Sequence, residues 1–108
     1  MATVWIIDDE QATSDVLGAM LQELGYEIRV FNQAREALAA YRPGVADVVM
    51  TDIRMPGLDG LEFTRAIREK DPRATLIVLT GFPSVEDAVE AIKMGAADYM
   101  TNPFRLEE

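Results

Sequence analysis

Three aspartates and a threonine carry the chemistry this chain is best equipped to do. Asp52 closes the apolar run Val48-Val49-Met50 and precedes Met55-Pro56-Gly57-Leu58-Asp59-Gly60, a stretch that can continue neither strand nor helix. Asp8 and Asp9 close a second apolar run, Val4-Trp5-Ile6-Ile7, and Thr80 closes a third, Leu76 to Leu79. Two carboxylates about 4 Å apart repel by roughly 4 kcal/mol at an effective dielectric near 20. A hard divalent cation offsets that repulsion: Mg²⁺, or Mn²⁺, takes oxygen ligands and bridges carboxylate to phosphate. An aspartate oxygen held beside such an ion can attack a phosphoryl group, a reaction governed by positioning and charge neutralisation. On this reading Asp52 is the acceptor and Asp9 a direct metal ligand. Asp8 binds directly or through water, and the Thr80 hydroxyl donates to a phosphoryl oxygen. Each fragment also has a plainer use, as a turn, a helix cap or a strand end. What favours chemistry is that all of them fall on one edge of one expected sheet.

The elements that must bring them there alternate strictly. After the Val4–Ile7 strand, the apolar residues Val16, Leu17, Met20, Leu21 and Leu24 recur at helical spacing from about Thr13, and Gly25 stops the helix. Tyr26–Phe31 alternates like a half-wet edge strand, and Asn32 is placed to cap a short helix from Ala34 to Tyr41. Beyond the Asp52 strand, Leu61 to Glu69 predicts a helix stopped by Asp71-Pro72. Ser84 caps a helix whose expected buried stripe is Val85, Ala88, Val89 and Ile92, ending before Gly95, and Asp98–Thr101 is a last short strand. Strand and helix in alternation imply right-handed crossovers and a parallel sheet covered on both faces. For five strands the flavodoxin-like α/β order 2-1-3-4-5 follows. Its switch point, between strands one and three, gathers Asp8, Asp9 and Asp52 at one crevice.

Composition narrows the classes. The 108 residues, 49% of them hydrophobic, make a single domain with one core. Nineteen acidic against ten basic residues give a formal charge of −9, which argues against nucleic-acid binding by this segment and for a cation or a basic partner surface. With neither cysteine nor histidine there is no disulfide, thiolate metal site or imidazole base. The opening run meets Asp8 too soon for a secretory signal, and no apolar run approaches membrane-spanning length. The expectation is a cytoplasmic protein without a membrane partner.

From Val4 to Phe104 the chain resembles the receiver domain of two-component response regulators. The resemblance rests on Ile6-Ile7-Asp8-Asp9-Glu10, Thr51 to Gly60, Thr80-Gly81, Gly95-Ala96-Ala97-Asp98-Tyr99 and Pro103-Phe104. It implies an aspartyl-phosphate at Asp52, Mg²⁺ held by Asp8, Asp9, Asp52 and the backbone carbonyl of Arg54, and a phosphodonor histidine on a separate kinase or phosphotransfer protein. It also implies a switch in which Thr80 turns toward the phosphate, Tyr99 follows inward, and the surface of helix four and strand five changes to control an output domain in cis, here a transcriptional one. Thr80-Gly81-Phe82 with Ser84, then Ala88 to Lys93, is similar to receivers of nitrogen-regulator-type activators.

Two departures accompany the resemblance. The family's lysine before Pro-Phe is Asn102 here, so a cation at the phosphoryl group is replaced by a neutral amide. The Asn102–Pro103 bond is a candidate cis peptide, as the family's equivalent bond usually is. The family's fifth helix begins near Leu106, whereas this sequence runs to Glu108. The fifth helix is therefore expected to be largely missing, and residues 1–108 to be the N-terminal receiver of a longer regulator. Helix one, left alone on its sheet face, would invite a homodimer. The competing readings are a degenerate receiver serving as a phosphorylation-independent interaction module, a Mg²⁺-dependent phosphohydrolase, and a nucleotide binder. The hydrolase usually carries its nucleophile on strand one and needs a cap segment, and the nucleotide binder lacks a glycine-rich loop after strand one.

Overall fold

In the computed structural model, which describes residues 2–81 and 84–101, five strands and four helices alternate along the chain. The order is β1 (Thr3–Ile7), α1 (Gln11–Glu23), β2 (Glu27–Phe31), α2 (Ala34–Ala40), β3 (Val48–Asp52), α3 (Gly60–Lys70), β4 (Leu76–Thr80), α4 (Val85–Lys93) and β5 (Asp98–Thr101). All pairings are parallel, in the order β2-β1-β3-β4-β5, so the flavodoxin-like expectation holds. The expected fifth helix, Asn102 and the Asn102–Pro103 bond lie outside the described residues.

The central strands are apolar except near their ends because both their faces are covered. On one face Trp5, Ile7, Val49 and Leu76 pack with Phe31, Ala37, Tyr41, Phe63 and Ile67 beneath α2 and α3. On the other, Val4, Ile6, Met50 and Leu79 meet Leu17 and Leu21 of α1. Ile53, Val78, Ala91 and Ala96 form a third cluster, against which Leu61 and Tyr99 pack. The edge strand β2 is mostly exposed, as its alternation predicts, and its Arg29 guanidinium lies over the rings of Trp5 and Phe31.

Three local expectations are corrected. α1 begins at Gln11 and buries Ser14, Leu17, Gly18 and Leu21, whereas Val16 is 63% and Leu24 60% exposed and Met20 is also exposed. The buried stripe is rotated because two small residues, Ser14 and Gly18, let the helix approach the sheet. A Cβ at Gly18 would already touch the Ile28 side chain at 3.7 Å. Asn32 does not cap α2: its amide donates to the Gln11 side chain, and Gln33 occupies the N-cap position without a side-chain bond. The largest correction is in α4, where the expected buried stripe is mostly solvent-facing, with Val85 81%, Val89 47% and Ile92 56% exposed. Ala91 is the buried residue of that helix, and Ala88 is half-buried. Two sets of apolar residues there share helical spacing, and the set with the smaller side chains is the one that fits against the sheet.

Candidate functional site

The carboxyl ends of β1 and β3 are adjacent, with Ile7 paired to Thr51, so the residues following each strand emerge side by side. Asp8, Asp9 and Asp52 each present one carboxylate oxygen in a group lying within 4.8 Å of one another. Asp8 is buried, Asp9 exposed and Asp52 half-buried. The crevice expected from the strand order is therefore present, and the three acids share it.

Local hydrogen bonds aim the acids. The Glu10 backbone N–H donates to Asp8 Oδ1 at 2.9 Å, and the Asp8 N–H donates to the Phe31 carbonyl at 3.0 Å. The Ile53 N–H donates to Asp52 Oδ1 at 2.8 Å, and the Thr51 hydroxyl donates to the Asp52 carbonyl at 2.9 Å. Gly60 backs that carbonyl closely: a Cβ there would overlap the Asp52 carbonyl oxygen and sit 2.7 Å from its carbon. The Gly60 N–H in turn donates to the Ile53 carbonyl at 2.8 Å. The loop from Asp52 to α3 thus folds back on itself.

The electrostatics match a cation site. Burial pushes the Asp8 carboxyl up to about 6, against the Glu10 hydrogen bond, and repulsion from Asp52, Asp9 and Glu10 acts in the same direction as burial. Burial also raises Asp52, while backbone hydrogen bonds from Ile53 and Arg54 pull it down and the charges of Asp9 and Glu10 add to the rise. Clustered hard oxygens whose protons are held too tightly are the donor set a divalent ion relieves. The residues present fit Mg²⁺.

Of the other expected residues, Thr80 ends β4 on the same sheet edge and is buried. Arg54 lies on the loop two residues beyond Asp52, where its side chain pairs with Asp87 in the first turn of α4, Nη2 to Oδ2 at 3.2 Å. Tyr99 is half-buried on β5, and its hydroxyl accepts from the Ser84 N–H at 3.2 Å. Ser84 caps α4 as expected, accepting from the Asp87 N–H at 3.1 Å. Two contacts escaped the sequence reading. Asp59 caps α3 by accepting from the Glu62 N–H at 2.9 Å, a placement the Asp-x-x-Glu spacing signals. The Arg54–Asp87 pair had no signal, because residues 33 apart meet only once the sheet is assembled.

The family pattern of the response regulator receiver domain matches residues 4–108. The chain belongs to the response-regulator receiver domains. It is 36% identical over 105 residues to the transcriptional regulator NtrC of Salmonella typhimurium, covering 97% of this receiver but 22% of NtrC. The chain thus spans about a fifth of that relative's length. Among solved structures, the beryllofluoride-activated NtrC4 receiver dimer superimposes with a TM-score of 0.91 at 37% identity, covering 99% of this receiver and 88% of that chain. TrrA of Thermotoga maritima, in complex with Mg²⁺ and beryllofluoride, superimposes with a TM-score of 0.86 at 34% identity, covering 94% and 87%. Receivers of this family serve phosphorylation-dependent signalling in two-component systems, and the curated relatives NtrC, TrcR and ZraR are themselves transcriptional regulators.

Proposed function

We propose that Asp52 accepts a phosphoryl group from a phosphohistidine on a partner kinase or phosphotransfer protein. The observation that carries this is the meeting of the Asp8, Asp9 and Asp52 carboxylates at the mouth of the β1/β3 crevice. A bond forms between an Asp52 oxygen and phosphorus as the phosphorus–nitrogen bond breaks. The electron pair stays on the leaving imidazole, which takes a proton from solvent. Asp8, Asp9, Asp52 and the Arg54 carbonyl would hold Mg²⁺, which would supply charge neutralisation for the transferring group. Asp52 attacks from a position fixed by the Ile53 N–H and by the carbonyl packed on Gly60. The Thr80 hydroxyl, at the neighbouring strand end, donates to the phosphoryl oxygen, and Asn102 adds an amide where relatives carry a lysine. The chain catalyses its own modification and has no separate turnover substrate.

Transfer then biases two packings of the β4–α4–β5 region, with Thr80 and Tyr99 as the moving parts. The relation to NtrC supports a cytoplasmic regulator in which residues 1–108 are the N-terminal receiver controlling a transcriptional output domain in cis. Among the described residues no helix is long and apolar enough to cross a membrane. Self-association is supported by the dimeric NtrC4 receiver and by the exposed Val85, Val89 and Ile92 on α4. The Asn102 replacement favours a second reading, a receiver used as an interaction module without phosphorylation. Incubation with Mg²⁺ and acetyl phosphate, followed by mass spectrometry, decides between them. One base-labile phosphoryl group on Asp52, lost in Asp52→Asn, is the expected result. An unmodified chain that still binds its output domain would establish the second reading.

A further inference from the structure

We propose that Arg54 is exchanged between two anions, Asp87 on α4 before phosphorylation and the phosphoryl group on Asp52 afterwards, so that this one side chain both assists the transfer and releases α4. The inference rests on the proposed phosphorylation of Asp52 and adds to it a residue that contacts the transferred group and a route to α4.

Four observations carry it. Arg54 follows the acceptor by two residues, so its Cα lies within about 7 Å of that of Asp52 even in fully extended chain, inside the sweep of an arginine side chain. Its guanidinium, itself largely exposed, is paired with a single oxygen, Oδ2, of the half-buried Asp87 carboxylate. Such a pair is weak and readily exchanged. A phosphoryl group offers more charge and several oxygens, and a planar guanidinium matches them with two parallel hydrogen bonds. An open cavity of about 430 Å³, lined by Ile53, Arg54, Met55, Pro56 and Asp59, lies beside Arg54 and leaves that side of the residue unpacked. Finally, the position where related receivers keep a cationic lysine is the neutral Asn102, so the transferred group lacks that cation.

The consequence for α4 follows from how that helix is held. Its first turn is joined to the acceptor loop through Asp87–Arg54 and to β5 through the Ser84 N–H on the Tyr99 hydroxyl. Ala91 is its buried residue. Withdrawing Arg54 removes one of these two ties and leaves Asp87 without that cationic partner.

The test uses the whole chain with Mg²⁺ and acetyl phosphate. In that reaction the Asp52 oxygen–phosphorus bond forms as the phosphorus–oxygen bond to acetate breaks, and acetate leaves with the electron pair. Arg54→Gln should slow phosphoryl incorporation about tenfold, the loss of a hydrogen bond to a charged group. Asp87→Asn, which frees the guanidinium, should speed incorporation about threefold, the size of an exposed ion pair. The double variant should behave as Arg54→Gln alone. In unphosphorylated Asp87→Asn, the backbone amide NMR signals of Ala88 and Ala91 should move toward their positions in the phosphorylated wild-type chain. Wild-type rates in either single variant, additive effects in the double variant, or unmoved α4 signals overturn the exchange while leaving Asp52 as acceptor. No incorporation into the wild-type chain overturns both.

Discussion

Gly60, the first residue of α3, packs against the backbone carbonyl of Asp52, the last residue of β3, too closely for any side chain to fit between them. This contact ties the start of α3 to the end of the strand that presents the acceptor. Gly60→Ala must therefore displace backbone, since the atoms met are the Asp52 carbonyl and the Ile53 Cα and not a flexible side chain. We expect destabilisation of about 1–3 kcal/mol by thermal unfolding. Phosphorylation of Asp52 should fall more than the loss of folded protein accounts for, because the shift occurs at the acceptor itself. Unchanged initial rates per folded molecule would show that the acceptor tolerates it.

Asp8 sets a pH dependence whose sign is fixed by its environment. Its carboxyl is raised from 3.8 to about 6 in the fold, so between those values the folded chain holds a proton that the unfolded chain has released. The contribution of Asp8 to stability without metal should therefore be fully present below pH 4, be lost as pH rises through 6, and then level off. Mg²⁺ affinity should run the opposite way, weakening as pH drops below 6 because protons compete for the same oxygens. Asp8→Asn removes the buried charge and should raise the melting temperature at pH 7.5 while abolishing stabilisation by Mg²⁺. Calorimetric scans of the wild-type chain and Asp8→Asn from pH 4 to 8, with and without Mg²⁺, check both; a wild-type melting temperature that falls no more steeply than that of Asp8→Asn from pH 4 to 7 without metal would contradict this.

The strand order and the meeting of Asp8, Asp9 and Asp52 were legible in the sequence. Both follow from apolar runs ending on acids, and right-handed crossovers leave few ways to arrange five such runs. The caps at Asp59 and Ser84 are local and equally readable. The faces of α1 and α4 were not, because apolar residues at helical spacing mark a helix without saying which of two overlapping stripes meets the sheet. At α4 the choice falls on Ala88 and Ala91, where close approach outweighs the area of Val85 or Ile92. Arg54–Asp87 and Gly60 against the Asp52 carbonyl depend on chain segments far apart or folded back, and no pattern in the sequence marks them.

Asn102 supplies a prediction from chemistry alone. An amide in place of an ammonium forfeits a charge-assisted contact worth roughly 1.5–3 kcal/mol. If that contact forms in the transition state, Asn102→Lys should accelerate phosphorylation by acetyl phosphate about tenfold or more. Arg54→Gln should then cost less in the Asn102→Lys background than in the wild-type chain, since two cations share one anion. Equal costs in both backgrounds would mean that the two positions act separately.

The helix expected to move is also the one most lightly held. α1 and α3 each bury four residues, whereas α4 buries Ala91 and relies on its capped first turn. Removing the Ser84 hydroxyl takes away the acceptor of the Asp87 N–H, and loss of such a cap costs about 1 kcal/mol. Elements with few buried contacts open locally before the whole chain unfolds. Ser84→Ala should therefore speed amide hydrogen exchange across Val85 to Lys93 by about fivefold, the factor that energy corresponds to, while barely moving the melting temperature. If exchange in α4 already proceeded only by global unfolding, the same substitution would speed exchange of α4 and of the core alike and would lower the melting temperature. In that case α4 would be no freer than the core beneath it, and a single ion pair could not govern its position.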